Sequence, residues 1–167
     1  MCPGEAAEGD DTLRGIGRRP ALPSERGVYV VVYHLSGEVD VRGRGGRLLA
    51  RVGPGYVAYV GSAGGPGGLR ARLGRHLLGA RRPWWHVDSI SSSPLSTPVL
   101  AYYEVGRWGR EAEDTLAGRL MTLGLRPVGK VGATDSRMPH LFIVDDVDLL
   151  ARELSSMGGT TVRLGEG

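Results

Sequence analysis

The chain has 167 residues, 41% of them hydrophobic, and a formal net charge of +3, which fits one domain with a real core and leaves little room for two. No window comes near the roughly 18 consecutive apolar residues of a membrane-spanning helix, and the single cysteine, Cys2, excludes an internal disulfide framework and a cysteine-based zinc site. The N-terminus carries Glu5, Glu8, Asp10 and Asp11 without an apolar run, so it is no secretory signal, and the expected setting is the cytoplasm, with no membrane partner.

The distribution of charge says more than its sum. Lys130 is the only lysine, and between Asp40 and Asp88 stand Arg42, Arg44, Arg47, Arg51, Arg70, Arg72, Arg75, Arg81 and Arg82 with no acid among them. A basic half of this kind suits a polyanion; an arginine-rich composition with a solvated face is the other reading, and charge alone does not separate the two.

Residues 1–22 lack periodicity and are rich in Gly, Glu, Asp and Arg. They are expected to be a disordered extension, or the product of a start codon placed too early. The domain is expected over 23–157, with a loose tail over 158–167. Val28–Leu35 is a dense β-branched and aromatic run, hence a buried strand. Ser36-Gly37 turns it, and Glu38–Arg42 is expected to pair back onto it. An arginine-bearing loop follows, then an edge strand over Leu48–Val52, the turn Gly53-Pro54-Gly55, and a strand over Tyr56–Gly61. The glycine-rich loop Gly64–Gly68 has no lysine after it, so it is no Walker A loop. Leu69, Leu73 and Leu77 then form the apolar stripe of a helix over 69–78, stopped by Gly79.

Pro83–Ile90 is short and aromatic, and its class is open. Ser91–Pro98 is a loop and Val99–Val105 a strand. A helix over 110–123 follows, its inner face Ala112, Leu116, Leu120 and Leu123, stopped by Gly124. Leu125–Pro139 is expected to be irregular. His140–Val144 is a strand, 146–157 a helix capped near Asp145 or Asp146, and Thr160–Leu164 a short strand within the tail. The fold class is α+β, a mostly antiparallel sheet flanked by α-helices.

Arg72 and His76 stand four apart in the first helix and share one face. A guanidinium there can take a phosphate bidentately, and an imidazole can pass a proton or donate a hydrogen bond. As a cation near the end of its helix, His76 has a second reading, complementing the dipole. Glu111, Glu113 and Asp114 crowd the first turn of the second long helix. Acids there complement the dipole, yet three exceed what capping needs, and a carboxylate near arginines can hold Mg²⁺. Glu111 is the rival of Glu113. His86 and Asp88 are either metal ligands or partners in local hydrogen bonds.

The order Tyr29, Tyr59, Arg72, His76, Glu113 resembles the GIY-YIG nuclease superfamily. Gly27-Val28-Tyr29 stands for the first triplet and Tyr59-Val60-Gly61 for the second, and Glu113 to Ala117 matches the helix that carries the glutamate. The resemblance is closer to a small prokaryotic, largely archaeal, GIY-YIG-like branch described as domain-of-unknown-function family 123. Its marks are GVYVVVYHL (27–35), GYVAYVGSAGGPGGLRARLGRHL (55–77), RRPWWHVDSI (81–90) and GATDSRMPHLFIV (132–144). They cover residues 22–144. Cysteines expected in that branch are Asp114, Ser136 and Met138 here, so a metal role for them does not carry over.

The resemblance implies a GIY-YIG-like fold and a Mg²⁺- or Mn²⁺-dependent endonuclease acting on DNA in repair. Tyr29 and Tyr59 would meet at one edge of the sheet. Tyr29 would help deprotonate an attacking water, which requires a depressed pKa or a metal-polarised water. Arg72 would neutralise the scissile phosphate, Glu113 would hold the metal, and His76 would assist proton transfer or position a tyrosine. Arg70, Arg75, Arg81 and Arg82, with Trp84 as a base-stacking residue, are the candidates for nucleic-acid contact. The alternatives are a catalytically inactive nucleic-acid-binding module and an accessory subunit of a DNA-repair enzyme, with a glycosylase as partner.

Overall fold

The computed structural model describes residues 20–79, 87–129 and 138–165. In chain order the elements are β1 (Gly27–Leu35), β2 (Val39–Arg42), β3 (Leu48–Val52), β4 (Gly55–Ala63), α1 (Gly68–Leu78), α2 (Asp88–Ser91), β5 (Ser96–Val105), α3 (Arg110–Thr122), β6 (Arg126–Pro127), β7 (Leu141–Val144), α4 (Val147–Ser155) and β8 (Thr160–Arg163). Six strands form one sheet in the order β6-β7-β4-β1-β5-β8, every neighbouring pair antiparallel. The fold is α+β, as the sequence predicts.

β1 runs through the middle, and its composition explains why. Seven consecutive residues, Gly27 to Tyr33, are buried, so the strand is apolar on both faces rather than alternating. Tyr29, Val31, Tyr33 and Leu35 point to a core shared with Leu69 and Leu73 of α1, Val87, Ile90 of α2, and Val39, Val41 and Val52 of β2 and β3. Val28, Val30 and Val32 point to a second core with Leu116, Ala117 and Leu120 of α3 and Leu150, Ala151 and Leu154 of α4. The sheet is thus covered on both faces.

Several boundaries differ from expectation. β2 pairs with β3 in a separate two-stranded sheet and not back onto β1. β6, two residues inside the predicted irregular segment, pairs with β7. The short strand predicted over 160–164 is present as β8, but it is part of the sheet, closing its far side on β5, and not of a loose tail. Leu22, placed in the disordered extension by sequence, is buried in the first core; residues 1–19 lie outside the described set. β5 starts at Ser96, inside the predicted loop over Ser91–Pro98, while three predicted helix-end signals hold. Gly79 and Gly124 follow α1 and α3 with positive φ, and the Asp146 side chain caps α4 by accepting from the Leu149 N–H at 3.0 Å.

The glycine loop before α1 serves the fold. Gly68 has φ +53, and a Cβ there would come within 2.2 Å of the Glu25 carbonyl oxygen and 2.3 Å of that of Ser24. The chain comes this close because it caps the helix. The Leu69 N–H donates to the Glu25 carbonyl (2.9 Å) and the Arg70 N–H to that of Pro23 (2.8 Å), which satisfies donors that a helix start leaves open.

Candidate active site

Tyr29 and Tyr59 stand on the two central strands, on the face that α1 covers. Cα register pairs Tyr29 with Gly61 and Val31 with Tyr59. The tyrosines therefore sit in the middle of the sheet, not at its edge as expected, because β1 and β4 are its interior strands. Their rings lie 6.5 Å apart. The ring of Tyr29 lies across Gly61: a Cβ there would meet its hydroxyl oxygen at 2.4 Å. The glycine of the Tyr59-Val60-Gly61 triplet thus makes room for the tyrosine of the other triplet.

α1 brings Arg72 and His76 over this pair. His76 completes a three-ring cluster, with centroids 5.7 Å from Tyr29 and 5.8 Å from Tyr59. Tyr33 fixes the end of the helix by donating its hydroxyl to the His76 carbonyl at 3.2 Å. The buried stripe of α1 is Leu69, Leu73 and His76, with Leu77 only partly buried. Arg72 is half-buried.

α3 supplies Glu113 from below. Its carboxylate accepts from the Ser62 backbone N–H and lies within electrostatic reach of Arg72, His140 and Tyr59. Ser62 is itself buried, and its Oγ accepts from the Gly109 N–H at 2.6 Å. Next to Glu113, Asp114 Oδ1 lies 3.3 Å from Nε2 of the buried His140. The His140 carbonyl in turn accepts from the Val60 N–H at 2.9 Å. The Asp114–His140 pair ties α3 to the start of β7 beside Tyr59. Glu111, the rival of Glu113, is exposed.

The electrostatics sort the four titratable residues around Arg72. Burial raises the Tyr29 hydroxyl well above the ordinary phenol value and Tyr59 adds to the rise, while the charge of Arg72 opposes it. Burial and then the Glu113 carboxylate raise Tyr59, again against Arg72. Burial raises Glu113, opposed by His140, Arg72 and the Ser62 N–H and assisted by Asp114. His76 goes the other way: burial lowers its pKa to about 4, and the nearby Asp88 carboxylate opposes the shift without cancelling it. His76 is a neutral imidazole at physiological pH, so it does not complement the α1 dipole as a cation.

Accessibility sorts them again. Tyr29 and His76 are enclosed, 0% and 1% exposed, whereas Tyr59, Arg72 and Glu113 reach the surface in part. Those three can touch a ligand directly; Tyr29 and His76 stand behind them. Of the two conditions for Tyr29 to deprotonate a water, a depressed pKa is not met, because burial in the sheet's core raises it.

Several predicted nucleic-acid contacts are engaged inside the chain. Arg75 pairs with the fully buried Asp88 at 3.0 Å, and Arg70 donates to the Leu22 carbonyl at 3.0 Å. Arg42 and Arg51 both pair with Asp40. The basic half is less open than its arginine count suggests. Asp88 sits 3.9 Å from His76 Nδ1, so of its two readings the structural one holds. Arg81, Arg82, Trp84, His86, Asp135 and Ser136 lie outside the described residues.

A divalent cation would find one suitable donor at the site. Among the described residues no group of three or more His, Cys, Asp or Glu is arranged to hold a metal ion. A single carboxylate nonetheless matches how Mg²⁺ binds, through one or two carboxylates, substrate phosphate and water. No helix among the described residues is long and apolar enough to cross a membrane.

No curated protein and no solved structure matches the chain. The family model described as Domain of unknown function DUF123 matches residues 28–162. That span runs from β1 into β8 and takes in every residue of the cluster, so the chain belongs to the DUF123 family.

Proposed function

We propose that this protein is a metal-dependent endonuclease that hydrolyses phosphodiester bonds in DNA, in the manner of GIY-YIG nucleases, with a role in DNA repair. The observation that carries this reading is the convergence of Tyr29, Tyr59, Arg72, His76 and Glu113 from β1, β4, α1 and α3 into one mutually interacting cluster. An arginine half-buried among neutral rings faces a desolvated surrounding in which its charge acts strongly on an anion.

Arg72 is the group for the scissile phosphate, binding non-bridging oxygens and stabilising the charge that grows there. Glu113 would hold Mg²⁺ or Mn²⁺, fixed in place by the Ser62 N–H. Without a cation this carboxylate would repel the phosphate that Arg72 attracts. When bound, such an ion supplies positive charge at the leaving oxygen and acidifies water. Tyr59, the tyrosine with surface access, is placed to orient the attacking water. Tyr29 and His76 are positioning residues: the buried Tyr29 ring stands within electrostatic reach of Arg72, and neutral His76 packs against both tyrosine rings.

Incubation of the purified protein with nicked, branched and single-stranded DNA, with Mg²⁺ or Mn²⁺ or with chelator, tests this reading. Metal-dependent cleavage is expected, and its absence from every substrate would refute it. Binding without hydrolysis is the second reading, favoured by the complete enclosure of Tyr29 and His76. It predicts salt-dependent DNA binding that Glu113→Ala leaves intact and no cleavage by the parent. A DNA-repair glycosylase is the partner we propose, to be sought by co-purification from the native cell.

A further inference from the structure

The loop between β5 and α3 holds a large aromatic side chain that the site described above does not use. Trp108 is 46% exposed, yet it is held firmly. Its ring lies against Gly64, where a Cβ would come within 2.8 Å of its Cδ1. The Arg26 guanidinium stands over the ring, 5.4 Å from its centroid. The loop is pinned on both sides of the tryptophan: the Gly106 N–H donates to the Arg26 carbonyl at 2.9 Å, and the Gly109 N–H to Ser62 Oγ at 2.6 Å. Arg107, next in sequence, is exposed as well.

This arrangement is unusual for a solvent-facing loop. An indole exposed to water loses little by swinging freely, and nothing in the core requires it here. Instead it is clamped between an arginine and a glycine that leaves room for it. The clamp also leads straight to the proposed site. Ser62, which receives the loop through its hydroxyl, uses its own backbone N–H to hold Glu113, and Gly64 lies two residues further along the chain.

We propose that Trp108, with Arg26, is a stacking platform for one unpaired nucleobase of the polynucleotide whose phosphate enters between Arg72 and Glu113. The chemistry matches such an occupant: Arg26 stands over one face and Gly64 meets the Cδ1 edge, which leaves the other face for a base, with guanidinium groups nearby for the adjoining phosphates and a rigid support that removes the cost of ordering the ring. A fully paired duplex keeps its bases stacked on one another and offers nothing to the indole. The platform therefore selects DNA with a single-stranded segment, such as a flap or gap, beside the bond to be cut. This inference rests on the nucleic-acid reading of the site and deepens it.

Fluorescence anisotropy in the presence of chelator, so that nothing is cleaved, compares a labelled duplex carrying a flap with a fully paired duplex of equal length at fixed salt. The Trp108→Ala protein should bind the flap about 5- to 150-fold more weakly, the range expected for loss of one stacked base, and the paired duplex within about twofold of the parent. Trp108→Phe should restore most of the difference. Unchanged flap affinity, or an equal loss on both substrates, would overturn the proposal. A second measurement does not depend on the alanine variant folding. In the Trp84→Phe/Trp85→Phe protein Trp108 is the only tryptophan left, and the flap should quench its emission while the paired duplex does not; no quenching overturns the platform. Trp108-dependent flap binding without cleavage in Mg²⁺ would keep the platform and remove the nuclease. Cleavage with Trp108-independent binding would do the reverse, and no binding to either substrate removes both.

Discussion

Acidification should destabilise this protein through His76 in a measurable way. The imidazole is 1% exposed and its pKa is lowered to about 4, so folding keeps it neutral where the unfolded chain would protonate it. The unfolded value is about 6.5, and between 6.5 and 4 the unfolded state binds more protons. Stability from this group is therefore intact above pH 6.5 and falls as pH drops toward 4. For these two values linkage gives a loss of about 2 kcal/mol at pH 5 and about 3 kcal/mol at pH 4, relative to pH 7. Glu113 has the opposite sign, because burial raises its pKa and the folded state holds its proton longer. Comparing parent with His76→Gln cancels that background. Urea unfolding at pH 7, 5 and 4 should show the parent losing about 3 kcal/mol more than His76→Gln over the whole interval. Parallel losses, or a His76 ring resonance in NMR that titrates near 6.5, would refute the buried neutral imidazole.

Gly61→Ala should cost about 1–3 kcal/mol, because the new methyl meets the buried Tyr29 hydroxyl; unchanged denaturant stability would show that the Tyr29 ring does not lie where we place it. Asp88→Asn should cost about 2 kcal/mol, less than for a fully buried pair since Arg75 is partly exposed, with the His76 pKa falling further once the opposing carboxylate charge is gone, read by NMR. At alkaline pH the raised pKa values of Tyr29, Tyr33, Tyr59 and Tyr102 favour the unfolded state, which ionises first. Stability should fall as pH rises above about 10, and ultraviolet titration should show these four tyrosines ionising together with unfolding. His140→Ala removes the partner of Asp114 and should lower denaturant stability by about 1 kcal/mol or more.

What could be read from the sequence was local in origin. The β-branched density of 28–35 marks β1, the leucines at 69 and 73 mark α1, and the four-residue step from Arg72 to His76 places both over the tyrosines. What could not be read depends on partners far apart in the chain. The register that lays Tyr29 over Gly61 is set by strand pairing, so the sequence shows Gly61 only as the end of a strand. The pairing of Asp88 with Arg75 and of His140 with Asp114 spans 13 and 26 residues and has no spacing signature. The run over 28–35 marks β1 as buried, but that Tyr29 stands behind Tyr59 and Arg72, out of reach of a ligand, depends on the layers packed above and below the strand. Trp108 carries no periodicity at all; its loop position between two glycines is the only signal in the sequence.

The central claim is that Arg72 and Glu113 act as one unit on a phosphodiester. Single-turnover cleavage of a flapped DNA in Mg²⁺, by the parent, Arg72→Ala, Glu113→Ala and the double variant, tests it most directly. The parent should cleave, and each single substitution should slow it by about 100-fold or more. The double variant should be slowed by far less than the product of the two, as groups acting together are. Cleavage that survives both substitutions would contradict the account.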